Sequence, residues 1–171
     1  MKTLELKDIC GYLPYGVKVY LDGKSYTVTK WQNGSNNNML AQQDNGTSSL
    51  IFNSGRGDAK FILRPMSDLT EEITHRGEKF VPLIELAKIS HPNIPVYEWR
   101  NPRHHTINDS RIWRIDAWND GNHIVVSVTD DVCVPLLCRD LLDRLMFDYR
   151  GLISTGLAID VNTLPENPYE R

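Results

Sequence analysis

The sequence has no run of apolar residues near the ~18 that a membrane-crossing helix requires. Its first ten residues, MKTLELKDIC, hold no long apolar segment, so no secretory signal is expected. Cysteine is scarce: Cys10, Cys133 and Cys138 make an odd set. They lack the paired spacing of a zinc site, and the expectation for all three is a small buried hydrophobe. No excess of basic charge exists: 19 Lys and Arg stand against 22 Asp and Glu, for a net charge of −3. That balance disfavours bulk electrostatic binding of nucleic acid or an anionic membrane, while leaving room for a local basic patch.

Chemical signatures are absent as well. There is no Gly-x-Ser-x-Gly elbow, no P-loop and no Gly-x-Gly-x-x-Gly. His75, His91, His104, His105 and His123 show no His-x3-His or His-Glu-x-x-His spacing. The adjacent pair His104-His105 would point to opposite faces of a strand, which is poor geometry for one metal. Gly55-Arg56-Gly57-Asp58 lacks the lysine and helix of a phosphate cradle and reads as a turn. The acidic pairs Asp130-Asp131, Glu71-Glu72 and Asp140…Asp143 fall at helix starts or on exposed helix faces. No metal site and no cofactor is called for.

What is present is the punctuation of an α+β domain. Val17, Val19 and Leu21 alternate, Asp22-Gly23 turns, and Tyr26 and Val28 continue on a partner strand. Further short strands are expected at Met39–Gln43, Ser49–Asn53 and Phe61–Arg64, between the polar loops Asn33–Asn38, Asp44–Gly46 and Ser54–Asp58. Ser67–Glu72 reads as one helical turn, and Ile73–Val81 as a hairpin turning at Arg76-Gly77. Pro82 opens a helix with Leu83, Leu86 and Ile89 on its inner face. Residues 91–110 contain three prolines and no clear period, so they read as a long connection. Trp113, Ile115 and Ala117 alternate, Asn119-Asp120-Gly121 turns, and Ile124, Val126 and Val128 return. Leu137, Leu141 and Leu145, beside Leu142 and Met146, give an amphipathic helix that would stop before Gly151. A strand at Leu157, Ile159 and Val161 follows.

The expected fold is therefore α+β. It has a small antiparallel sheet, barrel-like or curled, with two main helices packed on one side and an additional β-hairpin. Residues 1–171 read as one domain. A division into a small-sheet part, 1–66, and a helix-hairpin-helix part, 67–164, is the alternative, with 165–171 a frayed tail.

One region stands apart. Tyr97 to Trp118 holds three of the four tryptophans, Tyr97, four arginines and the histidine pair, against Glu98, Asp109 and Asp116. Arginine beside aromatics grips phosphates, stacks on bases and anchors protein interfaces. The candidate contact residues are Trp99, Arg100, Arg103, His104, His105, Arg111, Arg114 and Trp118. The bland alternative is a core Trp113 with ordinary surface ion pairs.

Four stretches carry a resemblance: LKDICGYLPYGVKV (Leu6 to Val19), FILRPMSDLTEEI (Phe61 to Ile73), RGEKFVPL (Arg76 to Leu83) and FDYRGLISTGLAIDVNTL (Phe147 to Leu164). As a set, about a third of the chain, the sequence resembles small uncharacterised proteins of phages and prophages of Bacteroides-type bacteria. The resemblance implies a phage or mobile-element context and action in the bacterial cytoplasm. It implies no activity and transfers no functional residue.

Four functions stay in view. The leading one is a non-enzymatic accessory protein that binds a host protein or a small anionic ligand, such as a nucleotide, as a counter-defence binder. The second is nucleic-acid binding in replication or transcription control, with Lys18, Lys24, Lys30, Arg56 and Lys60 tracking the backbone. The third is a virion or assembly component that associates through edge strands. The last is a hydrolase using His104 or His105. The sequence sets no oligomeric state and no membrane role.

Overall fold

The computed structural model describes residues 4–32, 38–43, 46, 49–53, 59–90, 92, 98–107, 110–119, 122–129 and 136–171, in part of the strands by backbone alone. The protein is α+β, as its sequence pattern implies. The chain forms two compact units. One joins Met1–Pro65 to Asp143–Pro168, and the other joins Met66–Leu142 to Tyr169–Arg171. The expected loops and turns at 33–37, 44–45, 54–58 and 120–121, with Tyr97, Cys133 and the acidic pair Asp130-Asp131, lie outside the described residues.

The first unit is built on a six-stranded sheet. Its strands are β1 (Lys18–Leu21), β2 (Lys24–Gln32), β3 (Asn38–Gln42), β4 (Ser49–Asn53), β5 (Lys60–Leu63) and β11 (Ala158–Asp160), in the order β11-β5-β1-β2-β3-β4. The order is open, with β11 and β4 at its ends. Asp22-Gly23 closes β1 onto β2 with both residues at positive φ, as a two-residue hairpin turn requires. Phe61, Ile62 and Leu63 are all buried, so β5 is covered on both faces. Its outer neighbour β11 runs parallel to it, which corrects the expectation of a purely antiparallel sheet. The chain between them is long enough for the crossover that parallel pairing demands.

Short helix α1 (Leu6–Ile9) precedes a 3-10 turn at Leu13–Tyr15. The backbone N–H of Arg64 donates to the Met146 carbonyl at 2.7 Å, and that of Asp148 to the Arg64 carbonyl at 2.8 Å. Phe147 thereby pairs with Arg64 beyond the end of β5.

The second unit contains a three-stranded antiparallel sheet, β8 (Glu98–Ile107), β9 (Ser110–Asn119) and β10 (Asn122–Thr129), in the order β10-β9-β8. It also contains the hairpin β6 (Ile73–His75) with β7 (Glu78–Phe80), turning at Arg76-Gly77 with φ of 51° and 81°. The Ser67–Glu72 stretch supplies a 3-10 turn, Met66–Thr70. Helix α2 (Pro82–Ser90) packs against all three strands of the sheet. Leu83, Leu86 and Ala87 of α2 are buried, as are Trp113 and Ile115 of β9.

Helix α3 (Leu136–Arg144) has its residues through Leu142 in this unit and its last two in the first. Ser90 Oγ and Cys138 Sγ share a hydrogen bond of 3.2 Å between α2 and α3. Among the described residues no helix is long and apolar enough to cross a membrane.

Four sequence expectations need correction. Residues 98–107 form a strand within the presumed connection. Pro102 is tolerated because β8 is an edge strand, and a bulge between Arg100 and Arg103 breaks the alternation. Helix α3 stops at Arg144 because Phe147 is drawn into pairing with Arg64, so Gly151 ends no helix. Cys10 is exposed while Cys138 is buried. The tail is tied down: Tyr169 is buried and stacked on His75, and the Arg76 and Gly77 N–H groups donate to the carbonyls of Tyr169 and Glu170.

Candidate anion-binding face

The three-stranded sheet sorts its residues by alternation. Directly opposed residues of neighbouring antiparallel strands share a face, and successive residues take opposite faces. Trp113 and Ile115 turn inward and are buried. Trp99 opposes Ala117, which places it on that inner face, and it is half-buried. Arg114 and Asp116 therefore belong to the outer face, together with the residues that oppose them.

Those residues are charged. Arg100 opposes Asp116, and Arg103 opposes Arg114. On the other side Val125 opposes Asp116 and is 45% exposed. The bulge makes this arrangement possible: at a regular spacing Arg100 and Arg103 would take opposite faces. Asn101, at φ 52°, provides the left-handed residue. Its Nδ2 donates to Asp116 Oδ2 at 3.1 Å.

Three arginines share this face with the buried Asp116. Arg103 Nη2 lies 3.6 Å from Asp116 Oδ1, which is an ion pair longer than a hydrogen bond. Arg100 and Arg103 are exposed, and Arg114 is half-buried. Arg114 Nε is a buried donor with no hydrogen-bond acceptor among the described residues. Like charges directly opposed across two strands cost roughly 0.2–1 kcal/mol. By the same alternation Glu98, opposite Trp118, belongs to this face, so three arginines stand there with two carboxylates. Forked N–H donors of this kind suit a carboxylate or a phosphate.

The structure thus brings Arg100, Arg103 and Arg114 onto one face and places Trp99 on the other. His104, His105, Arg111 and Trp118 are set in the backbone ladder opposite Trp113, Ile112, Thr106 and Glu98. Their side chains lie outside the described residues. Trp113 is core, as the bland reading held. Asp116 is the participant that sequence reasoning passed over. Its place one alternation from Arg114 was the available signal.

A second polar cluster lies in the first unit. Tyr149 Oη donates to Asp143 Oδ1 at 2.8 Å and accepts from Arg150 Nε at 3.3 Å. Tyr12, fully buried, donates from Oη to the Phe147 carbonyl at 2.8 Å, and its ring lies 5.9 Å from that of Tyr149. Asp143 is buried rather than on an exposed helix face, which corrects its sequence reading. It packs so closely on Gly11 that an added Cβ there would lie 2.6 Å from its Cγ.

Burial pushes the pKa of Tyr12 well above the usual phenol range, with the nearby Tyr149 and carboxylates acting in the same direction. Burial and the hydrogen bond to Asp143 raise that of Tyr149. Both phenols stay protonated at neutral pH and neither serves as a base. The cluster ties the segment after α1 to the end of α3.

Elsewhere in this unit a cavity of about 280 Å³ is lined by Tyr20, Gly23, Ser25, Leu164, Pro165 and Glu166. It offers an acid and no cation. Among the described residues no group of three or more His, Cys, Asp or Glu gathers to hold a metal. Compared with known proteins, the chain matches no family model, no curated protein and no solved structure.

Proposed function

We propose that this chain is a non-enzymatic binding protein that takes a small anionic ligand on the outer face of its three-stranded sheet. One observation carries the reading: Arg103 stands directly opposite Arg114, and the buried Asp116, bonded to Asn101 through Oδ2, meets Arg103 only in the 3.6 Å ion pair of Oδ1. A bound phosphate or carboxylate would bridge the two guanidinium groups and relieve their repulsion. A nucleotide is the leading ligand, and the resemblance to phage and prophage proteins suggests action in the cytoplasm of a bacterial host as a counter-defence binder. Docking on a host protein through the same face is the companion reading, supported by the exposed Val125 beside the arginines. The six-stranded sheet of the first unit is proposed to curl, since the irregular register between Val28 and Lys30 adds twist.

Calorimetry of the full chain with inorganic phosphate and a nucleotide panel at low salt tests this. Binding that weakens with rising salt, and at least tenfold in Arg103→Glu/Arg114→Glu, is the expected result. A flat titration for every anion, together with an empty pull-down from host lysate, overturns it.

A further inference from the structure

We infer that β10 is a self-pairing edge, and that two copies of the chain join there to form one continuous six-stranded sheet. The argument starts from how the two edges of the three-stranded sheet differ. β8 carries the devices that keep an edge from pairing: a bulge, Pro102 within the strand, and the exposed cations Arg100 and Arg103. β10 has none of them. Its eight residues, Asn-His-Ile-Val-Val-Ser-Val-Thr, contain no Lys, Arg, Asp, Glu, Pro or Gly. Its pairing with β9 runs through all eight positions without a register shift, so the strand is regular. No described strand pairs with its outer edge. At its middle stands Val125, a large apolar residue 45% exposed.

The occupant follows from charge and symmetry. An unprotected edge accepts another strand through its free N–H and C=O groups. The β8 edge of a second copy would bring arginines, a proline and a bulge to the ladder. A second β10 brings no charge at all. A two-fold axis perpendicular to the sheet keeps the outer faces on one side, which sets the axis at a residue rather than between two.

Centred on Val125, the register places Val125 opposite Val125, Ile124 opposite Val126, and His123 opposite Ser127. The exposed valines then meet across the axis, and no like charges are opposed. The resulting order is β8-β9-β10-β10-β9-β8, with the arginine faces of both copies on the same side. β4 is uncharged as well, but it has five residues against eight.

Sedimentation velocity on the full chain, from low to high micromolar concentration, tests the pairing. The wild type is expected to sediment as a dimer at the upper end, and Val125→Lys as a monomer with an unchanged circular dichroism spectrum. Val125→Cys under mild oxidation is expected to give a reducible covalent dimer well beyond the wild type, which serves as the control for the exposed Cys10. Arg103→Glu, on the opposite edge, is expected to stay dimeric. A wild type that remains monomeric, a Val125→Lys that still dimerises, or a Val125→Cys that does not cross-link overturns the inference. Each of these leaves Arg103 and Arg114 in place, so the outcome is separate from that of the anion titration.

Discussion

At the scale of single residues, the Tyr12, Tyr149 and Asp143 cluster makes two sharp predictions. Gly11 lies so close to the buried Asp143 carboxylate that even one methyl group has no room. Gly11→Ala is expected to destabilise the protein by roughly 1–3 kcal/mol, the usual cost of overpacking, measured by urea unfolding. Tyr12 connects its hydroxyl to stability at high pH. Its folded pKa lies above its unfolded value of about 10, so the folded state holds the proton longer. The stabilisation is fully present below the unfolded pKa and is lost as pH rises above it. Tyr149 titrates in the same direction. Unfolding midpoints across neutral to strongly alkaline pH are expected to drop steeply in the wild type. Tyr12→Phe is expected to lose about 1 kcal/mol at neutral pH with its hydrogen bond, and to fall less steeply in alkali. Parallel slopes for the two proteins would count against this role. Nothing in the sequence announced the cluster, because Asp143 obeys the helix pattern of an exposed acid and Gly11 resembles any turn glycine.

At the scale of elements, legibility followed regularity. The β9–β10 hairpin was readable because alternation held on both sides of Asn119-Asp120-Gly121. The β6–β7 hairpin and α2 were readable from Arg76-Gly77 and Pro82. β8 was not, since its bulge moves the alternation by one place and Pro102 reads as a breaker. The same irregularity gathered Arg100 and Arg103 on one face, so the feature that hid the strand also built the candidate site. α3 was overextended because the apolar period runs on into Leu145 and Met146, both buried after the helix has ended. The bulge itself is testable through Asn101, which holds a positive φ and bonds Asp116. Asn101→Ala is expected to cost about 1–2 kcal/mol from left-handed strain and from the bond removed at a buried carboxylate. Asn101→Gly is expected to recover the strain part alone. Equal losses in both variants would show that backbone strain contributes nothing there.

At the scale of the whole molecule, the two compact units are not two stretches of sequence. The contacts change between Pro65 and Met66. The chain then returns, and Asp143–Pro168 completes the unit begun by Met1–Pro65. Periodicity cannot reveal such a return, because it reports on neighbours in sequence and not on which distant strand completes a sheet. The return supplies specific partners: β11 alongside β5, the Phe147 carbonyl for Tyr12, and the Met146 carbonyl for the Arg64 N–H. Without these, β5 loses a neighbour on one side and Tyr12 is left as a buried hydroxyl without its acceptor. Burying that donor unpaired costs roughly 1–3 kcal/mol, a large share of the stability a unit this small commands. A fragment of residues 1–65 is therefore expected to lack dispersed amide resonances in a nitrogen–proton correlation spectrum. Adding a second fragment, 143–171, is expected to restore dispersion through the Arg64–Phe147 pairing. A well-dispersed spectrum from 1–65 alone would mean that the sheet closes its own core, and that the returning segment adds to a fold already formed.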